Sequence, residues 1–120
     1  MTHEEASYDR NITDLRERIA DRTRIISSLD EDIQDVDVQI RVLEPNLAKA
    51  RQVALAHPEA RVLVSELQTK IEKLQAARME LSERRSRSVG IKAATQNTLN
   101  ELKSRPAVKR FLELQAIGVL

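Results

Sequence analysis

Two clusters of charged residues are the parts of this chain whose types and spacing could support chemistry. The first could attract a hard divalent cation, which prefers clustered carboxylates; it contains Asp30, Glu31, Asp32, Asp35 and Asp37. This cluster lacks the turn glycine and the loop spacing of an EF-hand, and Ile33 and Val36 interrupt it at positions that a helix would bury. We therefore interpret it as the solvated face of a helix.

The second cluster is basic and could neutralise the phosphates of a nucleic acid without reading its bases. Its members are Arg84, Arg85, Arg87 and Lys92. Glu80 and Glu83 each lie four residues before an arginine, which is the spacing of helical ion pairs, and the stretch has no aromatic residue for stacking on bases. Nucleic-acid binding through this cluster is therefore the alternative function and not the leading one.

The rest of the sequence offers little to an enzyme. The chain has no cysteine, only two histidines, at positions 3 and 57, and only two glycines, at positions 90 and 118. Thiolate chemistry and a phosphate-binding glycine loop are thus excluded, and a histidine metal site would need ligands from another subunit. We expect no catalytic residue, no metal site and no cofactor.

The spacing of apolar residues predicts the element that carries the acidic cluster. From residue 12 to residue 50 these residues recur at alternating intervals of three and four, the heptad pattern of a coiled coil. We call this set the first stripe; it comprises Ile12, Leu15, Ile19, Arg22, Ile26, Leu29, Ile33, Val36, Ile40, Leu43, Leu47 and Ala50. Arg22 is its one charged member, and we interpret it as a residue that sets the register of packing.

The first helix is predicted over residues 5–56, with Thr2 and Glu5 as a capping box at its start. Pro45 lies inside this range, and an interior proline removes a backbone hydrogen bond and clashes with the preceding turn. We therefore expect the helix to be kinked or split near Pro45. His57 precedes Pro58, which disfavours helical backbone at His57 and predicts a turn there.

A second helix is predicted over residues 58–103 and a short third helix over residues 106–117. The apolar residues of the second helix form a second stripe, which comprises Ala60, Val64, Leu67, Ile71, Leu74, Arg78 and Leu81 and, after a polar stretch, Leu99 and Leu102. Pro106 suits the first turn of the short helix, and Gly118 suits its end.

Folding the chain back near residue 56 aligns both stripes in a single antiparallel register. Six apolar pairs then have residue numbers that sum to 110 or 111; they include Ile40 with Ile71, Ile12 with Leu99, and Tyr8 with Leu102. We predict a single all-α domain, a long antiparallel helical hairpin of coiled-coil type. Over residues 5–103 this architecture resembles helical-hairpin assembly and chaperone proteins such as prefoldin subunits or export-apparatus stalk proteins, and the resemblance implies no site residues.

Apolar residues outside the stripes predict a second contact face. They are Ile25, Val38, Val42, Val53, Leu55, Leu63 and Met79. Because a two-helix hairpin buries only one stripe per helix, we expect a homo-oligomer, most simply a dimer that forms a helical bundle, or a hairpin completed by a different protein.

The C-terminal segment is the predicted partner-binding site. Val108, Phe111, Leu112 and Ile117 give it an apolar side with a polar rim, as in a short helix that docks into a groove. This groove could belong to a partner, or it could lie on the hairpin itself. Phe111, the one phenylalanine, would then cap the hairpin near Tyr8.

Charge and hydropathy complete the prediction. Residues 1–60 hold 13 acidic and 8 basic residues and residues 61–120 hold 6 and 12, although the net charge is only +1. No window approaches the ~18 apolar residues of a membrane span, and the N-terminus has no signal-like pattern, so we expect a cytoplasmic protein. The leading functional hypothesis is a non-catalytic interaction module that acts as an assembly factor, an adaptor or a small inhibitor of a protein partner.

Overall fold

The computed structural model describes residues 1–120 and contains helices and no strand. Helix α1 spans His3–Ala56, a 3-10 helix spans Pro58–Ala60, α2 spans Arg61–Ser104 and α3 spans Pro106–Ala116. The prediction of an all-α antiparallel hairpin with a short C-terminal helix is confirmed.

Helix α1 begins at a capped end and continues through its internal proline. The Thr2 hydroxyl accepts a hydrogen bond from the Glu5 amide at 3.1 Å, which satisfies one of the free N–H groups at the helix start. The helix does not end at Pro45 and extends to Ala56. An interior proline costs about 3 kcal/mol. Burial of Leu47 and Ala50 in the turns that follow offsets this cost.

The chain reverses at the His57–Pro58 step. His57 has extended backbone angles, and Pro58 opens the 3-10 helix that leads into α2. Because proline fixes its own φ and disfavours helical angles in the residue before it, the two residues together end α1 and start the next element. The second helical segment therefore consists of one 3-10 turn followed by α2.

The chain forms two compact units, and the first contains residues 1–26 and 87–120. Its core is a cluster of Ile12, Leu99 and Val108, against which Tyr8, Leu15, Ile19, Leu102 and Leu112 pack. Ile12 with Leu99 and Tyr8 with Leu102 are pairs that the antiparallel register predicts. Ser88 is the one buried polar residue. Arg22 of the first stripe is half-buried. Ser88, in the polar stretch that interrupts the second stripe, and Arg22 thus give each helix a polar position among its apolar ones.

The second unit contains residues 27–86. Leu29, Leu47, Ala50 and Ile71 form its buried apolar positions. Two ion pairs also join α1 to α2. Arg78 Nε lies 2.5 Å from Asp37 Oδ1, and Arg85 Nε lies 2.5 Å from Asp30 Oδ1.

Candidate functional site

Helix α3 packs on the hairpin of its own chain. Val108 and Phe111 are buried, with Phe111 only 2% exposed. The rings of Phe111 and Tyr8 lie with their centroids 6.0 Å apart and tilted by 55°, within the range of favourable aromatic pairs. Gln115 also donates a hydrogen bond to Asp9 at 3.4 Å. The C-terminal segment was expected to dock either on a partner or on its own hairpin. In the structure it docks on its own hairpin.

A second contact type occurs where α3 begins. Pro106 and Ala107, at the start of α3, line the same hollow as Glu5 of α1. One carboxylate oxygen of Glu5 is buried there without a hydrogen-bond partner. The Arg105 side chain makes no capping hydrogen bond at this end of α3.

The four predicted partner-binding residues therefore differ in accessibility. Val108 and Phe111 are covered by the chain itself, Leu112 is half-buried, and Ile117 is 73% exposed. Gly118, with φ of 78°, ends α3. Its N–H and that of the next residue bond back to carbonyls of the last turn, as in a Schellman motif. Ile117 is the member of this set that is open to solvent.

The basic cluster is partly neutralised within the chain. Arg84 pairs with Glu80 at 3.0 Å, and Arg85 pairs with Asp30. Arg87 is exposed and Lys92 is half-buried, and neither takes part in an intrachain ion pair. Two of the four predicted nucleic-acid contacts are thus already engaged.

The acidic cluster contributes to helix pairing. Asp30 and Asp37 bind arginines of α2, and hydrogen bonding to Asp37 raises the pKa of Arg78 above its ordinary value. The chain contains no group of three or more side chains arranged to hold a metal ion. No helix has a stretch long and apolar enough to cross a bilayer.

An apolar hollow lies between α1 and α2 in the second unit. It has a volume of about 560 Å³ and is lined by Val38, Gln39, Val42, Leu43, Lys70, Lys73 and Leu74. Val38 and Val42 are 47% and 59% exposed. Spaced four residues apart, they occupy one face of α1 beside the stripe.

A smaller hollow of about 370 Å³ lies further along the same two helices. Asn46, Lys49, Ala50 and Val53 of α1 line it, together with Ala60 before α2 and Leu63 and Leu67 of α2. Residues 38, 42, 46, 49 and 53 are separated by three or four positions, so they share one face of α1. We call the two hollows together the α1–α2 groove.

Lysines give this groove a positive rim. Lys49, Lys70 and Lys73 line it, and none of them takes part in an intrachain ion pair. On the same side of α1, before the groove, lie the exposed residues Glu31 and Asp35, which are also unpaired. The sequence identified the valines of the groove as apolar residues outside the stripe. It did not reveal that they join residues of α2 to form a concave surface, because this depends on the distance between the helices.

No family model, curated protein or solved structure matches the chain.

Proposed function

We propose that this protein is a non-catalytic protein–protein interaction module, an assembly factor, adaptor or small inhibitor, that binds a helix of a protein partner in the α1–α2 groove. The observation that carries this proposal is the set of half-exposed apolar side chains in the two hollows, Val38 and Val42 in the first and Val53 and Leu63 in the second. A helix that inserts its apolar face into such a groove is a recurring mode of protein recognition.

The energetics favour a partner helix that covers both hollows. Full burial of one valine or leucine side chain stabilises by about 1.5–3 kcal/mol, but the groove residues are already half-buried, so each gains about 1 kcal/mol. Association costs at least about 4 kcal/mol in lost freedom. Val38 and Val42 alone would not offset this cost. Contacts with Val53 and Leu63 in the second hollow are needed as well.

The chemical nature of the lining supports a binding role and not a catalytic one. The polar groups in the groove are lysines and the amides of Gln39 and Asn46. General acid–base catalysis needs a proton donor or acceptor of suitable pKa within reach of the substrate, and nucleophilic catalysis needs an activated nucleophile. No nucleophile with a neighbouring base lines the groove. Its lysines suit the recognition of a partner's acidic groups.

The C-terminal segment contributes to the proposal through its exposed end. Ile117, Val119 and Leu120 follow the docked part of α3 and are accessible. They could extend the contact area of a partner without any release of α3 from the hairpin.

Affinity capture from an extract of the source organism, with and without nuclease, tests this function. The bait is the wild-type chain, the Val42→Asp variant, or Met79→Asp as the matched control, since Met79 is 66% exposed and does not line the groove. We expect wild type and the control to retain the same protein and Val42→Asp to lose it, because the substitution places a charge in an apolar contact. Equal capture by all three baits would refute the groove as the binding site. Loss of capture after nuclease treatment alone would favour the nucleic-acid alternative.

A further inference from the structure

We propose that the α1–α2 groove is occupied by α1 of a second copy of this chain, in an antiparallel arrangement whose two-fold axis passes near Val42. This inference rests on the proposed function, because it names the partner that the groove receives. It is carried by the order of charges along the groove side of α1.

Asp35, Val42 and Lys49 are separated by seven residues each and therefore lie on one face of α1. Seven residues of α-helix rise about 10 Å, so an acidic side chain and a basic side chain lie at equal distances on either side of Val42. A two-fold axis at Val42 brings Asp35 of each copy to Lys49 of the other. Val42 then meets its own equivalent on the axis.

The same charges disfavour a parallel arrangement in register. Asp35 would then face Asp35 of the partner subunit, and Lys49 would face Lys49 of the partner subunit, and like charges at an interface are unfavourable. Neither residue has an ion-pair partner within its own chain, so both are free for the contact between copies.

The length of the groove also fits a helix of this chain. From residue 38 to residue 53 the lining extends over about 22 Å of α1. Helix α1 is 54 residues long and has apolar residues on the required face at positions 38 and 42. The interface is isologous, because the same surface of each copy takes part in it. Helix α1 of each copy therefore fills the groove of the other, and the assembly stops at a dimer.

Sedimentation equilibrium of the full chain tests the dimer directly. At a protein concentration of about 100 µM, where a dimer with a dissociation constant of about 1 µM would be almost fully formed, the wild type is expected to have twice the chain mass of 13.7 kDa. Val42→Asp should raise the dissociation constant at least about tenfold, because the two carboxylates meet at the axis, whereas Met79→Asp should leave it unchanged. A wild-type mass of 13.7 kDa at this concentration would overturn the proposal, as would an unchanged dissociation constant for Val42→Asp.

A charge swap tests the antiparallel register with substitutions at exposed positions that leave the hairpin core intact. Asp35→Lys alone and Lys49→Asp alone should each weaken the dimer at low salt, because each brings two like charges together. The double variant should restore the wild-type dissociation constant. If the double variant is as weak as either single variant, or if the single variants have no effect, the register is wrong.

These outcomes distinguish the second copy from the more general proposed function. A wild-type chain that stays monomeric but captures a different protein through Val42 would refute the homodimer and leave the interaction module standing. If Val42→Asp altered neither the mass nor the capture, both proposals would be refuted.

Discussion

Replacement of Phe111 by alanine should strongly destabilise the first unit. Phe111 is almost fully buried, contacts the ring of Tyr8, and belongs with Val108 to the side of α3 that packs on the hairpin. Truncation of a buried phenylalanine costs about 3–5 kcal/mol. Because α3 is short and can settle toward the hairpin, we expect a value near the lower limit, about 3 kcal/mol, of which the aromatic pair supplies about 0.5–1.5 kcal/mol.

Urea and thermal unfolding of Phe111→Ala and Ile117→Ala measure this effect. For a chain of this size, about 3 kcal/mol corresponds to a decrease in Tm of about 10–20 °C. Ile117→Ala is the control in the same segment; the residue is exposed, so its effect should stay within about 0.5 kcal/mol. Tyr8 is the only tyrosine and the chain has no tryptophan, so its fluorescence reports on the docking site while circular dichroism reports on all helices.

Equal unfolding midpoints for the two variants would refute the docking of α3 on its own hairpin. The segment would then be free to bind elsewhere, and deletion of residues 106–120 would remove a partner without loss of stability. A large effect of Phe111→Ala on the Tyr8 signal would instead support the intrachain contact.

Three further predictions concern the hairpin and its charges. Ile12→Cys together with Leu99→Cys should give an intrachain disulfide on oxidation, seen as a mobility shift of the monomer in a non-reducing gel, and exclusively interchain products would contradict the fold-back. Hydrogen bonding to Asp37 raises the pKa of Arg78, so the contribution of this pair is complete below the ordinary pKa of a guanidinium and is lost only above the raised pKa. The difference in Tm between wild type and Arg78→Met should thus be equal at about pH 7 and about pH 10, and a difference that disappears by the higher pH would contradict this cause. Duplex DNA should not bind at about 50 mM salt in a fluorescence anisotropy titration, because the basic cluster is half neutralised within the chain; salt-dependent binding that Arg87→Ala weakens would contradict this.

The hairpin was predictable because the residues that it buries recur at regular intervals along the sequence. All twelve members of the first stripe are buried or half-buried in the structure, since a spacing of three and four places them on one face wherever the helix lies. The pairing of Ile12 with Leu99 followed from the requirement that one register bury both stripes. The position of the reversal followed from the effect of Pro58 on the residue before it.

Other features depend on distances between helices, which the spacing of apolar residues in the sequence does not specify. The apolar side of α3 could have served a partner or the hairpin, and only the placement of Val108 against Ile12 distinguishes the two. The ion pairs of Arg78 and Arg85 join residues more than forty positions apart, whereas the sequence favoured local pairs for the basic cluster. The course of the chain at Pro45 depends on whether the packing of the following turns offsets the lost hydrogen bond.

Self-cross-linking at position 42 tests the central claim, the occupation of the α1–α2 groove, most directly. The chain has no cysteine, so Val42→Cys introduces a single thiol at the proposed two-fold axis, and Met79→Cys places one on exposed surface outside the groove. Under mild oxidation Val42→Cys should form a disulfide-linked dimer rapidly and in high yield at a concentration where Met79→Cys stays largely monomeric. Equal rates of dimer formation by the two variants, or no dimer from Val42→Cys, would contradict the account.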